Sequence, residues 1–193
     1  MAGYDSRVPK IVTGHSHVWR SQSGVTIVEL IAVLVIIGVL GAIAASRYFD
    51  RASFDADAFT DQTRAMLRYG QKLAVAQNRP VFVRISTDRT QLCFDADCKA
   101  GSRITAPAGA NSGSATTLKH CDNSTTWLCE APPGGVTQTT SGPAALFAFD
   151  ALGRPHAASA TGELANFQRV LVRIGGDGKL RVVTVEAETG YVH

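Results

Sequence analysis

From Val25 to Ala45 the chain holds 21 residues with one charge, Glu29, and one other polar side chain, Thr26. At ~1.5 Å per residue a helix of that length covers ~30 Å, the hydrocarbon thickness of a bilayer. The helical pattern continues past the run. Phe59, Gln62, Met66, Tyr69, Leu73 and Ala76 recur at steps of three and four, with Asp57, Asp61, Arg64, Arg68 and Lys72 facing elsewhere. No proline occurs between Val25 and Arg79, and Asn78-Arg79-Pro80 supplies the stop. The pattern predicts one helix over about residues 25–78, of ~53 residues and ~80 Å. Its first half is apolar all round and its second half has one apolar stripe. That stripe lasts too few heptads for a coiled-coil seam, so packing on a sheet is the expected use.

After Pro80 the period changes to two. Val81, Val83 and Ile85 alternate with Phe82 and Arg84, Ser86-Thr87-Asp88-Arg89 turns, and Gln91-Leu92-Cys93-Phe94 returns, which reads as a hairpin. Residues 99–143 are rich in Gly, Ser, Thr, Ala and Pro, with Pro132-Pro133-Gly134-Gly135 as a breaker and only Trp127 and Leu128 as anchors. Strands resume at Ala145–Asp150, Val170–Ile174 and Leu180–Glu186, the last two joined by Gly175-Gly176-Asp177-Gly178. The expected fold class is α+β, a long N-terminal helix laid on an antiparallel meander.

Composition and charge narrow the function. At 193 residues the chain can bury one real core. Most of its formal charge of +3 lies in residues 1–24, where Arg7, Lys10 and Arg20 stand against Asp5. The near-neutral body lacks the clustered basic face that phosphate binding needs, so no nucleic-acid partner is expected. Cys93, Cys98, Cys121 and Cys129 are even in number and closely spaced. In an exported chain they read as two disulfides. Three pairings are possible, and short loops favour 93–98 with 121–129. A zinc site helped by His120 is the alternative, although only the first pair comes near a zinc-knuckle spacing.

The cations before the apolar run hold the N-terminus in the cytoplasm and send the rest across. A secretory signal would have a shorter core and a small-x-small cut at its far end. Here the small polar site, Ser21-Gln22-Ser23-Gly24, lies on the near side, and the run passes into Ser46-Arg47-Tyr48-Phe49. Gly24 followed by Val25-Thr26-Ile27-Val28-Glu29-Leu30 resembles the class III signal of type IV pilins and type II secretion pseudopilins. That motif is Gly, an apolar residue (usually Phe), Thr or Ser, two apolar residues, then Glu. The chain matches at Gly24, Thr26 and Glu29 and departs at Val25. The resemblance implies a prepilin peptidase that cuts after Gly24 and methylates the new amine of Val25. It implies a pilin-like fold and, as partners, other pilin or pseudopilin subunits, an inner-membrane assembly platform and the membrane itself. No catalytic residue, cofactor or metal is implied.

By the same resemblance Thr26 and Glu29 serve assembly, Glu29 pairing with the Val25 amine of a neighbouring subunit. A carboxylate near a helix start is mildly favoured by the dipole, while burial in lipid costs up to ~3 kcal/mol at the bilayer centre. The bland alternative is a Glu that snorkels to the headgroups. Gly38 and Gly41 would, by resemblance, let the helix open in a fibre, or they serve close helix approach. Ser46 stands where major pilins have a proline. The expected division is a leader at 1–24, a transmembrane half-helix at 25–45, an amphipathic half at 46–78 and a periplasmic β domain at 79–193. Twenty-four residues is long for such a leader, and Val18 read as a start would leave seven.

Two further stretches refine the likeness. Phe149-Asp150-Ala151-Leu152-Gly153-Arg154-Pro155 is similar to a Phe-x-x-x-Gly-Arg-Pro turn in minor pilins of the H/FimT type. Val185-Glu186-Ala187-Glu188-Thr189-Gly190-Tyr191-Val192 is similar to the Thr-Gly-Tyr-Val close of the C-type minor pilin of the mannose-sensitive haemagglutinin pilus. With the Arg79-Pro80-Val81 strand entry, these favour a minor subunit that starts or decorates a type IV pilus. An H-type pseudopilin of type II secretion shares the same mechanics. A membrane-anchored periplasmic enzyme or binding domain is the contrasting class. Gly175–Lys179 lacks the spacing and the Ser/Thr of a phosphate loop and reads as a hairpin turn. Asp95-x-Asp97 lacks the further ligands of a calcium loop. Glu186 and Glu188 read as a solvated pair on one strand face, and the five histidines form no catalytic grouping.

Overall fold

A computed structural model describes residues 25–141 and 146–193, with residues 44–50 described by their backbone alone. The chain divides into two compact units, Met1–Ala42 and Ile43–His193. Helix α1 (Ile27–Gln77) begins in the first and ends in the second. Its end is set chemically. Asn78 takes the left-handed conformation (φ +49°). The Arg79 N–H then reaches the Ala74 carbonyl and the Asn78 N–H the Val75 carbonyl, the paired bonds of a Schellman close.

In the first unit every residue from Val25 to Ala42 is exposed. Among the described residues no helix is long and apolar enough to cross a membrane. The apolar part of α1 with described side chains, Ile27–Ile43, is 17 residues, at the lower limit for a span. The run expected to cross, Val25–Ala45, reaches two residues into the stretch described by backbone alone.

The second unit holds two antiparallel sheets where the sequence pattern predicted one meander. One runs β3 (Cys129–Glu130), β2 (Thr90–Cys93), β1 (Val81–Ile85), β5 (Leu146–Phe149), β6 (Pro155–Ala158), β7 (Leu164–Ala165). The other runs β4 (Thr137–Ser141), β8 (Val170–Gly176), β9 (Lys179–Val185). Both expected hairpins form. Ile85 pairs with Thr90 across the Ser86–Arg89 turn. Gly176 pairs with Lys179 across Asp177-Gly178, which both have positive φ as a two-residue I′ turn requires. The surprise is β4. Its sequence, Thr-Gln-Thr-Thr-Ser, has no apolar residue, yet it pairs over its whole length with β8. The stretch expected to be loop from 99 to 143 thus holds β3, β4 and a short helix α2 (Ala115–His120) capped by Ser114.

The face of α1 on the sheets is also shifted from the predicted stripe. Phe59 and Met66 are buried, but Gln62, Tyr69 and Leu73 are half-buried and Ala76 is exposed. The centre of the contact is Ala56, Thr60, Thr63, Leu67, Gly70 and Ala74, all buried. Small residues there let the sheets come close. A Cβ on Gly70 would stand 2.6 Å from Leu92 Cδ2, and one on Gly176 of β8 would stand 2.7 Å from Ala56 Cβ. Val81, Val83, Ile85, Phe147 and Phe149 fill the same core from the larger sheet. Buried Gln138 ties the two sheets together, donating to the Ser86 carbonyl and accepting from Thr90 Oγ1.

Cys93 is joined to Cys98 and Cys121 to Cys129, with no free cysteine, so no thiol is left for zinc. Both bridges pack around buried Trp127. Trp127 donates its indole N–H to the Leu92 carbonyl and lies under the Arg103 guanidinium. Loops this short lose ~2 kcal/mol of unfolded-state entropy per bridge. The bridges therefore help hold a region that has few large apolar side chains.

Candidate assembly site

Gly24 lies outside the described residues. Val25 and Thr26 precede α1, and Thr26 is its N-cap. The Thr26 Oγ1 accepts from the Glu29 N–H at 3.2 Å, and its carbonyl takes the first helical bond from Leu30 at 3.1 Å. Thr is a good cap because its hydroxyl satisfies one of the four N–H groups that a helix start leaves without partners. Glu29 is thereby the third helical residue, the acid of the first turn, where the dipole favours it. The structure thus brings together Thr26 and Glu29 and leaves Val25 exposed. The Thr-x-x-Glu spacing is that of a capping box. This signal stands in the sequence, where the family resemblance assigned both residues to assembly alone.

The two finer motifs, some 35 residues apart in the chain, meet at one side chain of α1. Gln71 Nε2 donates to the Gly153 carbonyl at 2.8 Å and the Thr189 carbonyl at 3.0 Å. One turn earlier, Arg68 Nε donates to the Val192 carbonyl at 3.0 Å. Gly153 and Gly190 both have positive φ, +78° and +65°. Asp150 shapes its turn by accepting from the Leu152 and Arg154 N–H groups and meeting His156 Nε2. Burial pushes its carboxyl up, but the bonds from His156, Arg154 and Leu152 outweigh this and hold it below its usual value. These stretches are anchors for the helix. The Glu186/Glu188 expectation is corrected here. β9 stops at Val185, and Glu186 is held by His193 and Arg169, while Glu188 is exposed.

A third clamp ties the β8–β9 hairpin to α1. Arg181 bonds Asp57, Asp177 and the carbonyl and hydroxyl of Ser53. The hydrogen bond from Arg181 is the main reason that both carboxyls are held below the usual range. A lowered carboxyl pKa contributes stability above its unfolded value and loses it as pH falls through the folded one. The melting temperature lost in Arg181→Met should therefore be full at pH 7 and shrink below about pH 4. Thermal melts of both proteins across that range check this; a deficit that persists unchanged at low pH would contradict it.

Sequence reasoning missed buried Glu130. It accepts from the Ser112 N–H and from the Ser112 and Thr117 hydroxyls, tying α2 and the loop before it to β3. Its donors come from a stretch that no periodicity marks. Asp95 accepts from the Cys98 N–H and the Ser102 hydroxyl, and Asp97 pairs with Lys99. Among the described residues no cluster of His, Cys, Asp and Glu could hold a metal ion.

A search of curated proteins finds no significant match. Among solved structures, similarity is found to the minor pseudopilin EpsH of the type 2 secretion system of Vibrio cholerae, at 15% identity and a TM-score of 0.43, covering 74% of this chain and 94% of that one. Similarity is also found to the type IV minor pilin FimU of Pseudomonas aeruginosa, at 15% identity and a TM-score of 0.43, covering 75% of this chain and 87% of that one. Residues 19–45, spanning Gly24, Thr26 and Glu29, match the prokaryotic N-terminal methylation motif.

Proposed function

We propose that the chain is a minor pilin-like structural subunit of a type IV pilus, cut after Gly24 and methylated at Val25 by a prepilin peptidase. The match of residues 19–45 to the N-terminal methylation motif carries this reading. The geometry supports it, because the acid that must meet a neighbour's amine sits in the first turn of α1, just beyond the residue that would bear such an amine. Residues 1–24 are the leader. Residues 25–45 store the subunit in the inner membrane, with the N-terminus cytoplasmic, and then enter the filament core. Residues 46–78 carry the β domain of residues 79–193 on the periplasmic side and later on the filament surface.

The chain performs no reaction of its own in this scheme. The peptidase removes the leader, the assembly platform delivers the subunit, and Glu29 is satisfied only by a neighbour at the right axial position. An acid used this way trades stability for register. Mass spectrometry of the chain from assembled filaments of its native host tests the reading. The expected N-terminus is a methylated Val25; an N-terminus upstream of Gly24 on assembled material overturns it.

A further inference from the structure

We infer that the outer edge of β9, at Leu180–Val182, is a docking site for an extended segment of a different chain that alternates apolar and acidic residues. The inference goes beyond the proposed function, because neither the cut nor entry into a filament calls on this edge.

Hydrogen-bond alternation locates the site. β9 pairs with β8 on one side and is the last strand of its sheet. On its other side Thr184 exchanges both backbone bonds with His193, and Glu186 donates to the Tyr191 carbonyl. Thr184 and Glu186 therefore point their N–H and C=O groups away from β8. In an antiparallel strand that direction alternates, so Leu180 and Val182 point theirs away as well. The hairpin turn gives the same answer. Gly176 and Lys179 close it as a bonded pair, which makes Gly175–Leu180 and Arg173–Val182 pairs that do not bond each other. Residues 191–193 occupy the edge from Glu186 to Thr184. Among the described residues no backbone group meets the N–H and C=O of Leu180 or Val182. Donors and acceptors in a row at this spacing are what an added strand binds.

The side chains define the occupant. Leu180 and Val182 are 61% and 41% exposed on the outer face of the small sheet, so apolar neighbours suit them there. The other sheet edges differ: β3 and β7 are two residues each, and β4 has no apolar side chain. Arg173 lies across from Val182, and Lys179 precedes Leu180. Among the described residues neither cation makes an ion pair, and the acids beside Lys179, Asp57 and Asp177, are held by Arg181. A second copy of β9 would bring these cations against their own kind. An acidic strand meets them with opposite charge. The rival use of a lysine here is to guard the edge against any pairing.

The test uses the full chain in detergent micelles, residue-resolved amide hydrogen exchange, and a synthetic peptide, acetyl-Thr-Val-Glu-Val-Glu-Val-Thr-amide. At ten times its dissociation constant the peptide is expected to slow exchange at Leu180 and Val182 about ten-fold. Arg181 and Val183, whose N–H groups already bond β8, should not change. The same peptide with lysine for glutamate is expected to bind at least about ten-fold more weakly. Val182→Pro removes one edge donor and is expected to weaken binding about ten-fold. Arg173→Glu combined with Lys179→Glu is expected to reverse the preference between the two peptides; should Val182→Pro fail to fold, this variant decides. No slowing at Leu180 and Val182 with about 5 mM of the acidic peptide overturns the inference. So does equal slowing by both peptides. Protection that needs no peptide and grows with protein concentration gives the edge to a second copy, and overturns it too.

Discussion

Glu29→Ala is expected to be cut after Gly24 like the wild type and then to join filaments at least about a hundredfold less. The estimate follows from the cost of leaving one charge of a buried pair without its partner, ~3–5 kcal/mol. On the proposed function, the positive amine of one subunit and the Glu29 of another cancel each other in a core without water. Removing the acid leaves the amine stranded, and nothing else in residues 25–42 carries a charge that could replace it. Gly24→Ala acts one step earlier and should leave the full-length precursor. Immunoblots of membrane and sheared-filament fractions, with and without the peptidase, distinguish the two outcomes. A plain membrane anchor would tolerate both changes, so normal function in either variant favours a membrane-anchored binding domain or enzyme.

Gly190→Ala is expected to destabilise the β domain by about 3 kcal/mol. The backbone there has φ +65°, and a Cβ would stand 2.6 Å from the Gly153 carbonyl oxygen and 2.8 Å from Gln71 Nε2. Left-handed backbone costs a non-glycine residue ~1–2 kcal/mol. The rest comes from displacing a carbonyl and breaking the Gln71 bonds that hold both turns to α1. Gly153→Ala has a similar φ, but its Cβ would meet side-chain atoms of Val75 and Gln71 at 3.2 Å and beyond. These can yield, so its loss should be limited to about 1–2 kcal/mol. Urea unfolding of the three proteins in detergent measures the order; equal stability of wild type and Gly190→Ala would refute the role given to this junction.

The same junction shows why family motifs can be legible while their purpose is not. Asp150–Arg154 and Thr189–Val192 stand out as short patterns, but the sequence does not say that Gln71 and Arg68 bind their carbonyls from another element. The bond partners are backbone groups, which leave no trace in residue type. Glu130 is similar. Its burial depends on Ser112 and Thr117 arriving from α2 and its approach, and an acid between Cys129 and Ala131 gives no sign of that.

By itself the sequence determined what depends on near neighbours along the chain. The length of α1 follows from a proline-free run and from Asn78-Arg79-Pro80. The two hairpins follow from alternation around Ser86–Arg89 and Asp177-Gly178, and the match to the N-terminal methylation motif spans Gly24, Thr26 and Glu29. Tertiary structure decided the rest: the division into two sheets, the β4 strand that has no apolar residue, and a helix face centred on Thr63, Leu67 and Gly70. Each of these depends on which surface arrives from far along the chain. A strand of threonines is stable only once β8 takes its hydrogen bonds, and a glycine is a contact only once Leu92 lies against it.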